Sequence, residues 1–235
     1  MVDTQKLAHL GEFSAWVAAS DDNMRWFLDK MAINVSELFR NPEKWDEIQN
    51  KVLPELLAGK PALRAWSAGC SYGAEAHTLA MILDNRFRGG RHQILGSDID
   101  LTALDQAKRG EFSESDVRGV PDEYRRNYLR KEGQLWKAVD TLRPYLTFRR
   151  GNLLADRFEE NFDLIMCRNV VIYFTDEAKN ALYERFVASL RPGGYLFIGS
   201  TERVTNANDL ELETVFPFIY RKPTQPQERK WRNAS

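Results

Sequence analysis

AWSAGCSYGAEA (Ala65 to Ala76) is the stretch that decides the fold. A short apolar run enters a turn of glycine and serine, and a helical stretch follows. A second apolar run, ILGSDID (Ile94 to Asp100), then ends in aspartate. This layout is that of a nucleoside-binding α/β unit. The glycines let the backbone approach a ligand, and an acid at the end of the second strand grips ribose hydroxyls. The turn has no Walker lysine and no strict GxGxxG. It therefore points away from phosphate cofactors and towards S-adenosylmethionine, which carries ribose and adenine without phosphate.

Outward from this unit the alternation continues. Leu63–Ser67, Ile94–Ser97, Leu146–Arg149, Phe162–Cys167, Gly194–Gly199 and Phe216–Arg221 read as strands. Ala74–Asp84, Leu101–Arg109 and Thr175–Leu190 read as helices. Strands alternating with helices predict a parallel sheet covered on both faces. Ahead of it, Met24, Phe27, Leu28 and Met31 fall at helical spacing behind the candidate caps Ser20, Asp21 and Asp22. Residues 43 to 57 read as a further helix that Pro54 kinks or ends. Residues 113 to 150 break the pattern, with short antiparallel strands expected around Gly133 and Arg143-Pro144.

Charge and composition exclude several classes. A net charge of -1 provides no overall field for nucleic acid or membrane. The charge is uneven, however: residues 118 to 150 hold nine Lys/Arg against four Asp/Glu. Cys70 and Cys167 form no CxxC and read as reduced, buried thiols. There is no signal-peptide pattern and no window near the roughly 18 apolar residues of a membrane span. A cytoplasmic protein with no membrane insertion is expected. His9, His77 and His92 lack metal-ligand spacing, so no metal is expected, and no Ser/His/Asp nucleophile set is visible.

Several residues carry two readings. Asp98 and Asp100 both suit a helix N-cap, and Asp98, at the strand end, is the better ribose ligand. Glu75, in the first turn of its helix, either balances the helix dipole or faces the cationic end of the cofactor. Arg168-Asn169 follows the apolar strand FDLIMC, at the edge where open α/β sheets bind ligands. Asn152 offers both a donor and an acceptor, as an adenine edge requires.

Together these pieces resemble the CheR-type chemotaxis receptor methyltransferases. The resemblance is carried by INVSELFRNPEKW (Ile33 to Trp45), LRAWSAGCSYGAEAHTLAMILD (Leu63 to Asp84), ILGSDID, NLLADRF (Asn152 to Phe158), FDLIMCRNVVIYF (Phe162 to Phe174), LRPGGYLFIGSTE (Leu190 to Glu202) and VFPFIY (Val215 to Tyr220). It covers about residues 24 to 222 in family order. It implies a Rossmann-like class I S-adenosylmethionine-dependent methyltransferase with a mostly parallel sheet, a short N-terminal helical segment and a small antiparallel β insertion. The implied domains are residues 1–57, a helical segment and linker helix; 58–222, the catalytic domain, with the insertion at about 113–150; and 223–235, a flexible tail.

The implied cofactor site is Asn34, Ser36, Arg40, Ala68, Gly69, Glu75, Asp98, Asn152, Leu153, Arg168 and Asn169, with Arg40 and Tyr173 at the methyl-transfer centre. The implied reaction transfers methyl to glutamate carboxylates of chemotaxis receptors and leaves S-adenosylhomocysteine. A methyltransferase for another protein or a small carboxylate, and a non-catalytic sensor of the cofactor, stay open beside it. Where the family reads GCSTGEEPY, this chain has Gly69 to His77 as GCSYGAEAH, which keeps Glu75. The family carries a longer, basic N-terminal domain, whereas the 33 residues before Asn34 hold three Lys/Arg and five Asp/Glu. Either this N-terminal segment is shortened, or docking of the receptor's helical cytoplasmic domain has moved, with the basic insertion, residues 118–150, as the candidate surface.

Overall fold

In the computed structural model the described residues are 10–20, 23, 36–200 and 202–225. The strands in chain order are β1 (Arg64–Ala68), β2 (Gln93–Asp98), β3 (Glu111–Phe112), β4 (Leu129–Glu132), β5 (Leu135–Ala138), β6 (Leu146–Arg150), β7 (Phe162–Cys167), β8 (Leu190–Ile198), β9 (Glu213–Phe216) and β10 (Ile219–Arg221). Seven of them form one sheet in the order β6-β2-β1-β7-β8-β10-β9. The first five of that order run parallel, and β10 is antiparallel to both β8 and β9. Ala65 lies opposite both Ile94 and Leu164, so the carboxyl ends of β2, β1 and β7 come to one edge. The expected α/β architecture is the one observed.

The helices are α1 (Leu10–Ala18), α2 (Pro42–Glu47), α3 (Leu53–Leu57), α4 (Ala74–Arg86), α5 (Leu101–Arg109), α6 (Asp122–Tyr128) and α7 (Asp176–Ser189). The chain divides into two compact units, residues 1–35 and 36–235. In the first, Phe13 and Trp16 stack within α1, and Ser20 Oγ accepts from Asn23 N at 3.1 Å. Met24, Phe27, Leu28 and Met31, with Asp21 and Asp22, lie outside the described residues.

In the second unit, two apolar clusters cover the sheet. One joins Trp45, Ile48, Val52 and Leu53 to the buried face of α4 and to Ala65, Leu164 and Phe197. The other joins Trp66, Phe162, Ile165 and Leu196 to Leu182, Tyr183 and Phe186 of α7. Residues 151–161, between β6 and β7, form no helix. Phe158 of that loop packs on Trp66, with centroids 4.7 Å apart, and leaves a cleft of about 580 Å³ beside it. At the amino end of β7, buried Asp163 accepts from Arg64 N at 2.7 Å and pairs with Lys60 and Arg191.

Four local expectations differ from the structure. Of the two outcomes expected at Pro54, a kink or an end, the end does not occur: the helix runs on to Leu57. A π turn (Ile48–Val52) separates α2 from α3, and Leu53 N reaches back to Ile48 O, which changes the hydrogen-bond register just before the proline. Residues 113–150 are not one antiparallel insert. Gly133 turns the β4–β5 hairpin, and the small sheet has the order β3-β5-β4. Arg143-Pro144 instead sits in a 3-10 turn (Asp140–Tyr145) that leads into β6 of the main sheet. Strand β8 starts at Leu190 rather than Gly194, because Gly193 N donates to Lys222 O and Lys222 N to Gly194 O. Phe216–Arg221 is a hairpin, not one strand: Phe218, at φ 71°, turns β9 into β10.

His77 supplies a pH test of this packing. It is buried in α4, its Nε2 is 3.0 Å from Ala107 O, and its ring stacks on Phe148. Burial pushes its pKa from 6.5 down to about 4. The unfolded chain therefore binds the extra proton first as pH falls from 6.5 towards 4. Stability is full above that window and decreases through it, by up to about 3 kcal/mol from this one group. Urea denaturation at pH 7 and pH 4.5 measures the loss, and His77→Phe is expected to flatten that part of the pH dependence. An unchanged slope in the variant would assign the loss to other groups.

Candidate active site

The glycine turn is built by backbone hydrogen bonds across β1 and β2. Gly69 N and Cys70 N donate to Ser97 O at 2.8 and 3.0 Å, and Gly73 N donates to Cys70 O at 2.9 Å. Asp98 faces this turn from the end of β2. Its carboxylate accepts from Ser71 N at 2.7 Å and from Asp100 N at 3.0 Å. Asp100 is the cap of α5, accepting from Thr102 N and Ala103 N at 2.8 and 3.1 Å. Of the two cap candidates in the sequence, Asp100 is the one that caps the helix. Burial raises the Asp98 pKa, and the backbone donors oppose that shift. Ile99, Leu101 and Leu154 are exposed, at 49, 48 and 54%, beyond the carboxyl ends of the neighbouring strands β2 and β6. Apolar side chains in the open there suit the face of a purine, and the sequence reading did not single them out.

Glu75 does not serve the helix dipole alone. Its Oε1 accepts from Ser67 Oγ at 2.6 Å, and its Oε2 stands 3.7 Å from Arg168 Nη1. Burial raises the Glu75 pKa, and Arg168 and then Ser67 draw it back down. Burial lowers the pKa of Arg168, and Glu75 opposes this. Arg168 Nη2 also donates to Arg40 O at 3.0 Å and to Asn41 Oδ1 at 2.6 Å. Its guanidinium lies 4.6 Å from the ring centre of Phe197. Its Nε is buried with no protein partner among the described residues.

Arg168 thereby anchors the segment that carries Arg40. That residue sits between Phe39 and Asn41, whose φ values are 57° and 59°. A left-handed phenylalanine is strained, and such strain persists only where surrounding contacts over-determine it. Here Phe39 N donates to Thr78 Oγ1 at 3.0 Å, and the Phe39 ring packs 4.8 Å from Tyr124. The result is a cleft lined by Ser36, Glu37, Arg40, Gly69, Cys70, Glu75, Arg168 and Asn169. Six of these were expected from sequence; Glu37 and Cys70 were not.

The remaining expected residues are placed as follows. Asn152 Oδ1 accepts from Leu154 N at 2.9 Å, which orients its amide at the end of β6. Leu153 is buried, and its carbonyl accepts from Arg185 Nη1 at 2.7 Å. Asn152 and Leu153 line the 580 Å³ cleft as well, whose other walls are on the α7 face of the sheet. Ala68 is buried at the end of β1. Asn34 and the side chain of Tyr173 lie outside the described residues. Burial raises the pKa of both cysteine thiols well above the usual range, which keeps them protonated and unreactive.

These residues fit S-adenosylmethionine. Asp98 retains lone pairs for ribose hydroxyls, Glu75 offers carboxylate oxygens for an ammonium, and Arg168 brings a guanidinium to the same cleft for a carboxylate. The fold, with this donor set at the switch edge of its sheet, defines a class I S-adenosylmethionine-dependent methyltransferase. Residues 34–216 match the family described as CheR methyltransferase, SAM binding domain. A chemotaxis protein methyltransferase of Listeria monocytogenes is 37% identical over 219 residues, which is 93% of this chain and 84% of that protein. One of Borreliella burgdorferi is 32% identical over 83% of this chain and 72% of its own. A solved S-adenosylmethionine-dependent methyltransferase from Mesorhizobium loti superposes with a TM-score of 0.36 at 20% identity, over 62% of this chain and 51% of that one. The chain belongs to the CheR methyltransferase family. Among the described residues, no helix is long and apolar enough to cross a membrane.

Gly69 tests the turn directly. Its φ is 74°, and a Cβ there would stand 2.5 Å from Val170 Cγ2. Gly69→Ala is expected to cost about 1–2 kcal/mol from the left-handed backbone alone. It should also weaken S-adenosylhomocysteine binding by displacing the Val170 loop. Thermal denaturation and calorimetry separate the two effects, and wild-type values in both would refute the close packing.

Proposed function

We propose that this protein transfers a methyl group from S-adenosylmethionine to glutamate side chains of chemotaxis receptors, forming methyl esters in the cytoplasm. The observation that carries this reading is a guanidinium, Arg40, held at a strained turn on the rim of the cofactor cleft. A planar guanidinium orients a carboxylate. The bound cofactor supplies an electrophilic methyl on a sulfonium sulfur. Asp98 would hold the ribose, Glu75 the amino group, and Asn152 with Leu153 the adenine edge. Gly69 would allow close backbone approach, and Ser36, Arg168 and Asn169 would complete the binding shell.

A glutamate side chain has an ordinary pKa of about 4.3 and is already an anion at neutral pH. Methyl transfer to it requires no general base. The enzyme must instead align the carboxylate with the methyl group and strip water from it. Arg40 orients the nucleophile without neutralising it, and Tyr173 is the second residue assigned to the methyl-transfer step. The relatives' printed name, chemotaxis protein methyltransferase, supports the receptor as substrate. Strand β4 of the small sheet supports the docking route. It lies at the sheet's edge and carries exposed Arg130 and Lys131, a basic face that suits an acidic receptor surface.

The test is transfer of radiolabelled methyl from S-adenosylmethionine to receptor-containing membranes, followed by base. Label released as volatile methanol is the expected result, because carboxyl methyl esters hydrolyse in base. Base-stable label, or none while S-adenosylhomocysteine still binds, would refute the glutamate assignment.

A further inference from the structure

Glu202 is a carboxylate that the mechanism above leaves without a task. It is 5% exposed and follows β8. Its Oε2 accepts from Gly199 N at 2.6 Å and its Oε1 from Val171 N at 3.2 Å. Burial raises the Glu202 pKa, and the N–H groups of Gly199, Asn169, Val171 and Val170 oppose that shift. Asn169 is left-handed, with φ 61°, and Val170 follows with φ -108° and ψ -48°. Successive N–H groups in such an alternation converge into an anion-binding concavity. Here the anion is the protein's own. The loop it gathers has Arg168 at one end and Tyr173 at the other, and Val170 in its middle rests on the glycine turn at Gly69.

We propose that Glu202 is a positioning residue for methyl transfer: its carboxylate clamps the backbone of residues 169–171 to β8 and so sets the distance between the cofactor turn and the methyl-transfer centre. The clamp requires a carboxylate, not merely a polar side chain. Converging N–H donors meet only acceptors on a carboxylate, whereas a glutamine would turn an N–H group against one of them. It also requires glycine at 199, where a Cβ would stand 2.6 Å from Glu202 Oε2 and 2.8 Å from Asn169 N. Glu202→Gln and Gly199→Ala therefore disturb the same clamp from its two sides.

The inference rests on the methyltransferase reading, and the experiment keeps the two apart. Wild type, Glu202→Gln, Glu202→Asp and Gly199→Ala are compared by receptor methylation, melting temperature and hydrogen exchange of residues 168–174, with and without S-adenosylhomocysteine. Glu202→Gln is expected to lower kcat on the order of a hundredfold, as for a loss of alignment of about 1 Å. KM for S-adenosylmethionine should rise too, since Asn169 and the Val170 loop border the cofactor cleft, but by less than kcat falls, since the Asp98 carboxylate is untouched. Exchange should accelerate in 168–174 and not in the rest of the sheet. Glu202→Asp, which keeps the charge, should recover part of kcat, and Gly199→Ala should reproduce the Gln phenotype. The proposal is overturned by wild-type kcat in a folded Glu202→Gln, or by a rate loss that only tracks the unfolded fraction. If Glu202→Gln does not fold, Glu202→Asp and Gly199→Ala are judged by the same criteria. A wild type that transfers no methyl refutes the proposed function instead, while the exchange of 168–174 still reports on the clamp.

Discussion

Arg40→Ala is expected to lower methyl-transfer turnover on the order of a hundred- to a thousandfold, the range for removing one oriented group from a reacting centre. The fold is expected to survive, for a reason specific to this site. Arg168 grips the carbonyl of Arg40 and the side chain of Asn41, and Thr78 accepts from Phe39 N, so the strained turn is held by contacts that truncation at position 40 leaves intact. S-adenosylhomocysteine should therefore still bind. Arg40→Lys sharpens the result. A lysine keeps the charge but lacks the planar fork, so it should recover little activity if orientation is the task. Single-turnover methylation at saturating cofactor is the measurement. Near-normal turnover in Arg40→Ala would remove Arg40 from the mechanism.

Asp98→Ala is expected to act on binding rather than on chemistry. Two hydrogen bonds from ribose hydroxyls to a carboxylate contribute about 1.5–3 kcal/mol each. Their joint loss corresponds to a Kd for S-adenosylhomocysteine on the order of a hundredfold weaker or more. The substitution also deprives Ser71 N and Asp100 N of their acceptor, so some stability is lost as well. Calorimetry well below the melting temperature isolates the binding loss. Asp98→Asn, which keeps an acceptor of similar shape, should lie between wild type and alanine. At saturating S-adenosylmethionine, kcat should fall much less than kcat/KM. Unchanged affinity in Asp98→Ala would refute the ribose assignment.

The legible parts of this protein are those in which cause and effect lie close along the chain. Helix α5 runs over Leu101–Arg109 as read, because Asp100 caps it and Gly110 ends it within the same short segment. Strand β7 covers Phe162–Cys167 as read, because an apolar run of that length admits few alternatives. The misread elements each depended on something distant. Strand β8 begins early because Lys222 pairs with Gly193 and Gly194. Pro54 is tolerated because the helix steps into a π turn whose buried residues, Ile48 and Val52, fit the sheet's core.

The site divides in the same way. The sequence by itself determined the sheet, the glycine turn and the presence of an acid at the end of β2, because backbone conformation and apolar periodicity are local properties. It also carried enough family motif to imply the cofactor. Only the tertiary structure decided which groups act on one another. Arg168 meets the carbonyl of Arg40 across 128 positions, and Glu202 meets Val171 across 31. Asp163, the one charge within the apolar run FDLIMC, is accounted for by Lys60 and Arg191. Such pairings leave no periodic trace in a single chain, because a buried charge is tolerated through whichever partner the fold delivers and not through its neighbours in sequence.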